Sequence, residues 1–213
     1  LDGSFQNQGL QVGAGNDAND RITVSISSAK AASIGIGTSS SYTSNIAGAA
    51  FAIIENGELV LQKGYGFADV ENQIKVSIQT GFNIASISKS VTAWGIMKLV
   101  EEGKLDLDKP AETYMTRWKF HESKYDSKKV TIRRLLSHTA GLSLHGYPGY
   151  APKDTLPTIE ESLSGATNGS GDVHIIIEPG THYQYSGGGY TVLQLIIEEV
   201  TGMNLEKYMQ QEI

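Results

Sequence analysis

Phe82-Asn83-Ile84-Ala85-Ser86-Ile87-Ser88-Lys89-Ser90-Val91-Thr92-Ala93-Trp94 decides how the rest of the chain is read. In it a serine and a lysine stand three residues apart, just where an apolar, helix-forming run begins. On a helix, a side chain three residues on returns to the same face one turn up. That geometry would hold the Lys89 amine within reach of the Ser86 hydroxyl. A serine is a poor nucleophile unless a neighbouring base activates it, and an amine kept neutral by burial can do so. The pattern alone is cheap, since Ser27-Ser28-Ala29-Lys30 also fits it and reads as chance. The bland alternative is a solvated helix start with Ser86 as N-cap and Lys89 at the surface.

The flanks separate the two copies. Val91, Ala93, Trp94, Ile96, Met97, Leu99 and Val100 run nearly all the way round a helix, which predicts a buried element. Glu101-Glu102-Gly103 supplies a stop, and Pro110 prevents simple continuation. A buried helix with Ser and Lys in its first turn also offers backbone N–H groups and a positive dipole end to a developing oxyanion.

Several further segments occur in a telling order. Gly48-Ala49-Ala50-Phe51-Ala52-Ile53-Ile54 and Leu59-Val60-Leu61-Gln62-Lys63-Gly64-Tyr65-Gly66 come first, followed by Ala68-Asp69-Val70. The Ser86 block runs into Leu99-Val100-Glu101-Glu102-Gly103-Lys104-Leu105. Then come Leu135-Leu136-Ser137-His138-Thr139-Ala140-Gly141-Leu142, Pro179-Gly180 and Tyr185-Ser186-Gly187-Gly188-Gly189-Tyr190. With these segments, residues 46–213 resemble the serine β-lactamase and penicillin-binding hydrolase superfamily, in its class C, D-alanyl-D-alanine carboxypeptidase and esterase branch. The resemblance implies an α/β (α+β) fold of the β-lactamase/transpeptidase type, an antiparallel sheet flanked by helices plus a mainly helical subdomain.

It also implies roles. Ser86 would be the acylated nucleophile, Lys89 its proton acceptor, and Tyr185 the second-motif residue that shares the acid/base work. A tyrosine serves as a base only if nearby cations stabilise its phenolate, and Lys89 is the candidate cation. Read without the Ser86 block, Tyr185 would be a pocket-lining aromatic before a glycine turn. The family's second motif reads Tyr, any residue, then Asn, whereas the third place here is Gly187. The missing amide leaves Ser186 and backbone groups to meet Lys89 or a substrate carbonyl, and weakens the expectation of strong β-lactam turnover. His138 matches a family signature in which its role looks structural rather than catalytic. The family's third motif, a Lys- or His-Thr/Ser-Gly triplet, does not follow Tyr185. The expectation is therefore an N-terminal part of a larger protein, catalytically incomplete as it stands and short of its C-terminal part.

Residues 1–45 differ in kind, being rich in Gly, Ser, Ala and Asn. Ile22-Thr23-Val24-Ser25-Ile26 alternates as a strand, with Leu10-Gln11-Val12 as its candidate partner. The turn-rich Gly13–Asp20 between them invites a calcium-nonapeptide reading, but one imperfect copy of a repeat that works stacked is better read as a turn. Leu1-Asp2-Gly3-Ser4-Phe5, Leu10-Gln11-Val12-Gly13-Ala14 and Arg21-Ile22-Thr23-Val24-Ser25-Ile26, with Ala29, Ala31 and Ala32, resemble part of the flagellin N-terminal region. That resemblance, over about residues 1–41, implies filament subunits as partners and makes Ile34–Asn45 a flexible Gly/Ser linker.

Composition sets bounds. With 17 basic and 23 acidic residues the formal charge is −6, which argues against nucleic acid and leaves no basic membrane patch. There is no cysteine, hence no disulfide or thiolate chemistry. No apolar run is long enough to span a bilayer, and no signal peptide is visible, as suits a fragment or processed chain. The five histidines never form the helical His-Glu-x-x-His pattern, so neither metal nor cofactor is implied.

Local signals complete the reading. Asn56-Gly57 between two apolar runs predicts a type I′ hairpin over 49–66, and apolar residues on both faces of its first strand suggest a sheet covered on both sides. From Leu105 onward the pattern reads as mainly helical with loops. Thr131 is expected to cap 132–137, Gly202 to close a helix over 191–200, and Asn204 to cap the last helix. Ser143–Gly171 reads as a loop over the substrate cleft. Tyr147 and Tyr150 are candidates to line that cleft, although each singly reads first as surface packing.

Two functions remain open on sequence alone. One is a serine hydrolase acting through an acyl-enzyme on a β-lactam, a D-alanyl (peptidoglycan) peptide or a small ester. The other is a flagellin-like filament protein whose hydrolase-like part is inactive or merely binds. Either places the protein in the extracellular or periplasmic space.

Overall fold

The computed structural model describes residues 48–151 and 153–213 in full, and the backbone of residues 8–11 and 21–24. Those two short segments are strands β1 (Gln8–Gln11) and β2 (Arg21–Val24), paired antiparallel with Gln8 opposite Val24. The other residues of 1–47, on which the flagellin resemblance and the linker reading rest, lie outside the described residues, as does the second Ser-x-x-Lys copy at 27–30. The chain divides into two compact units at Asn83/Ile84.

In the first unit, β3 (Gly48–Glu55) and β4 (Glu58–Asp69) form the expected hairpin. Asn56 and Gly57 both take positive φ, 51° and 83°, as a two-residue turn matched to strand twist requires. A register shift between Ile53 and Ile54 bulges the strand just before the turn. A third strand, β5 (Ile74–Lys75), pairs with the end of β4. Gly48 and Gly64 let the chain near Val76 come close: a Cβ on Gly64 would lie 2.5 Å from the Val76 carbonyl oxygen. Among the described residues the expected cover is not seen at the turn end of the sheet, where Ile54, Leu59 and Val60 are 69%, 55% and 53% exposed. Apolar residues on a strand show which faces could be covered, not what will cover them.

The second unit is built around α4 (Gly187–Thr201), whose Val192, Leu193, Leu195, Ile196 and Ile197 have no exposed surface. Around it pack α1 (Ser88–Glu101), α2 (Ile132–Leu136), α3 (Ile159–Leu163) and α5 (Leu205–Glu212). Each fully buried aliphatic side chain contributes roughly 1.5–3 kcal/mol relative to exposure, so α4 is the energetic centre. The caps fall where the sequence places them. Thr131 accepts from Arg134 N–H, Asn204 from Lys207 N–H, and Gly202 takes φ 69° to end α4.

Three expectations need correction here. Residues 105–186 are mostly irregular rather than helical, tied down by the isolated bridges Pro110–Thr131 and Leu142–Ile175. The long loop contains α3, which opens with a reciprocal capping box between Thr158 and Glu161. Helix α1 is not buried all round. Thr92, Gly95, Ile96 and Leu99 are buried, but Trp94 is 65% exposed. Among the described residues no helix is long and apolar enough to cross a membrane.

Candidate active site

Ala85–Ile87 form a single 3-10 turn that leads directly into α1. Ala85 has φ 45°, a left-handed backbone that a residue with a Cβ adopts only at a cost, and such strain gathers at functional sites. Ser86 is not the helix cap: Ile87 occupies that place, with no side-chain cap bond. The Ser86 hydroxyl is thereby left for other partners. Lys89 Nζ lies 3.1 Å from Ser86 Oγ, and the Tyr185 hydroxyl donates to the same Oγ at 2.9 Å. The residues that the resemblance named, two from α1 and its 3-10 lead-in and one from the far side of the chain, meet at one oxygen.

Tyr185 is set by the start of α4. Ser186 caps that helix, its Oγ accepting from Gly189 N–H at 3.0 Å and donating to the Ser143 carbonyl at 2.6 Å. The chain from Ser143 to Gly146 then lies along the helix start, with Gly187 N–H donating to His145 O at 2.9 Å and Gly188 N–H to Leu144 O at 3.1 Å. The glycines make this approach possible. A Cβ on Gly187 would sit 2.9 Å from His145 O, and one on Gly188 would sit 2.5 Å from Val173 Cγ2. An asparagine at 187, the family's usual residue, has no room while the loop lies there.

A cavity of about 430 Å³ opens beside the three residues. Ser86, Lys89, Tyr147, Tyr185 and Gly187 all line it, so five of the residues singled out in the sequence share one site. Ser186 does not. It is 3% exposed and its hydroxyl is committed to the cap and the loop, so it shapes the site from beneath rather than facing a substrate. Tyr147 reaches across to Thr191, hydroxyl to hydroxyl, at 2.6 Å. Tyr150 instead donates to the Ala166 carbonyl and lines a different cavity.

The sequence reading missed Thr191, Gln194, Tyr190 and His145 in the lining. Gly187, Thr191 and Gln194 are spaced i, i+4, i+7 on one helix face. That signal was present but hidden, because three consecutive glycines argue against a helix at about 1 kcal/mol each. Started at Thr191, the helix loses the turn that aligns them.

Three tyrosines line the cavity, and their surroundings separate them. Burial pushes the phenols of Tyr147 and Tyr190 up, away from ionisation. Tyr185 goes the other way: the Lys89 hydrogen bond, then the Ser86 hydrogen bond, and to a lesser degree the Lys89 charge, outweigh desolvation and hold its phenol below the ordinary tyrosine value. Lys89 Nζ also sits 5.1 Å from the centre of the Tyr185 ring.

A Ser, His, Asp grouping elsewhere in this unit does not make a relay. Ser143 Oγ and Asp172 Oδ1 both approach the same ring nitrogen of His174, Nδ1, at 3.3 Å, and Ser143 Oγ donates to the Asp172 carbonyl. Among the described residues no group of three or more His, Cys, Asp or Glu could hold a metal ion.

Ser, Lys and Tyr thus converge on one oxygen within the second unit, and comparison with known proteins gives the chain its family. The Beta-lactamase family profile matches residues 35–213, and the chain belongs to that family, with a β-lactamase/transpeptidase-like fold. It is 34% identical over 172 residues to Protein flp of Staphylococcus aureus, covering 78% of this chain and 32% of that protein. The octameric penicillin-binding protein homologue from Pyrococcus abyssi superposes with a TM-score of 0.63 at 33% identity, over 79% of this chain and 38% of that one. The D-amino acid amidase from Ochrobactrum anthropi SV3, complexed with L-phenylalanine amide, gives 0.64 at 27% identity, over 79% of this chain and 44% of that one. The chain thus spans about a third of the length of the curated relative it matches.

Proposed function

We propose that the protein is a serine acyl-transfer hydrolase, acting through an acyl-enzyme on a β-lactam, a D-alanyl peptide or a small ester. Ser86 Oγ adds to the substrate carbonyl carbon while its proton passes to the Tyr185 phenolate. The carbonyl reforms as the C–N or C–O bond breaks, and Tyr185 returns the proton to the leaving group. Water then adds to the Ser86 ester while its proton passes to the same phenolate, and as the acyl–Oγ bond breaks Tyr185 returns that proton to Ser86 Oγ. Assigning the proton to Tyr185 rather than to Lys89 rests on one observation. Of the three cavity tyrosines, the one within 2.9 Å of Ser86 Oγ is the one whose phenol is pushed down. Lys89 then serves as the charge that favours the phenolate. A peptide substrate of the peptidoglycan type fits the penicillin-binding relatives and implies work outside the cytoplasmic membrane.

The test is intact-mass analysis of the protein after treatment with a fluorophosphonate probe. One adduct mapping to Ser86 is expected, lost in Ser86→Ala and largely kept in Ser88→Ala. An adduct that survives Ser86→Ala would refute the assignment.

A further inference from the structure

We propose that His138 is the positioning residue for Tyr185, a neutral imidazole that grips the chain on both sides of the tyrosine and so fixes the phenol against Ser86. The proposal rests on the hydrolase reading above and adds a residue to it. Three consecutive residues each meet His138. Gln184 N–H donates to the His138 carbonyl at 2.7 Å, and Ser186 N–H donates to His138 Nδ1 at 3.1 Å. Between them the Tyr185 ring stacks on the imidazole, centroids 4.4 Å apart and planes 29° from parallel. His138 itself stands at φ 57°, and this left-handed turn is what lets one residue present both its carbonyl and its ring to the same strand of chain.

The geometry fixes the tautomer. An N–H aimed at Nδ1 requires a lone pair there, so the ring proton is on Nε2. A proton added to Nδ1 would set two N–H groups head to head and break the hold on Ser186. It would also add a charge where one is unwelcome. The titratable groups facing the ring are Lys89 from α1, His145 from the loop, and Tyr183, Tyr185 and Tyr190 from the segment leading into and through the start of α4. Burial first, then the Lys89 charge and His145, hold the imidazole below the ordinary histidine value of 6.5. A folded-state value below the unfolded one means that the unfolded chain binds more protons as pH falls. Stability is therefore whole above about 6.5 and declines below it. The alignment of Tyr185 is lost over the lower part of that window, where the folded ring itself protonates.

The experiment measures the rate of Ser86 acylation by a fluorophosphonate across pH, together with nitrogen NMR of the imidazole in the intact protein. His138→Asn keeps a short acceptor for Ser186 N–H and tolerates the left-handed backbone, but has no proton to gain. It should stay within about tenfold of the parent at neutral pH and lose the part of the acid limb that His138 protonation adds, keeping only the fall that protonation of the Tyr185 phenolate itself gives. His138→Ala removes the acceptor and should slow acylation about 100-fold, the scale of an ångström's misplacement of a reacting group. NMR should show Nδ1 unprotonated, with no reliance on activity. A parent-like acid limb in His138→Asn, or an Nδ1-protonated ring at neutral pH, would overturn the proposal. If His138→Ala does not fold, His138→Asn and the NMR still decide. A parent protein with Nδ1 unprotonated that forms no Ser86 adduct would instead sink the hydrolase reading alone.

Discussion

Helices α1 and α4 each carry half of the candidate site, and they are built on opposite plans. Helix α1 begins without a side-chain cap, follows a strained Ala85, and leaves Val91, Trp94 and Met97 exposed along one side. Helix α4 begins on a buried serine cap, and eight of its residues, three of them glycines, are buried. The candidate nucleophile Ser86 and its neighbour Lys89 sit on the first plan, while the second anchors Tyr185 and the cavity wall. Chemistry needs accessible polar groups at an irregular turn, whereas positioning needs a scaffold with little freedom. The difference teaches that a substitution near the start of α1 should cost rate without stability, and one within α4 should cost stability before rate.

The largest expected effect tests the α1 half. Lys89→Met should slow Ser86 acylation by about 10²–10⁴-fold, the usual worth of a general base, because without the Lys89 charge Tyr185 loses the phenolate that would act as one, with the melting temperature unchanged. A large drop in melting temperature would show that α1 is as structural as α4. Next, Leu193→Ala empties a fully buried position in α4 and should cost about 2–5 kcal/mol in denaturant unfolding. A cost under about 1 kcal/mol would deny α4 its central place.

A matched pair of glycines sharpens the contrast. On Gly188 of α4, a Cβ meets the buried Val173 at 2.5 Å and Leu144 Cβ at 3.2 Å. Gly188→Ala should therefore destabilise by about 1–3 kcal/mol, overpacking outweighing the helix-propensity gain. On Gly95 of α1, the nearest atom is the flexible Met209 Sδ at 2.9 Å, with the Tyr208 ring at 3.1 Å. Gly95→Ala should change stability by less than about 1 kcal/mol, since Met209 can swing aside while propensity improves. Smallest of all, Trp94→Ala should fall within about 0.5 kcal/mol, as for an exposed position. A much larger loss on thermal or denaturant unfolding would reveal that something covers that face.

Much of this was legible beforehand, for local reasons. Asn56-Gly57 dictates its own turn, Thr131 and Asn204 cap the helices they precede, and the Ser86–Lys89 spacing brings the two side chains to one face. The signature around His138 and Gly141 was visible but its physics was not. His138 and Gly141 both stand at positive φ, and a Cβ on Gly141 would lie 2.1 Å from the Ile177 carbonyl oxygen, a contact from an irregular segment 36 residues on. The start of α4 was misread for the same reason. Its glycines look like helix breakers until the loop at 143–146 is laid against them.

The sequence by itself determined the turn, the caps, the serine–lysine spacing and the family's order of motifs, because each depends on neighbours within a few residues. Tertiary structure alone decided that Tyr185 meets Ser86 across 99 positions of chain, that Ser186 turns inward, that His138 holds the tyrosine from both sides, and that Lys89 singles out one phenol among three. Those outcomes depend on which backbones can approach closely and which charges end up side by side, and these are properties of packing that no local pattern encodes.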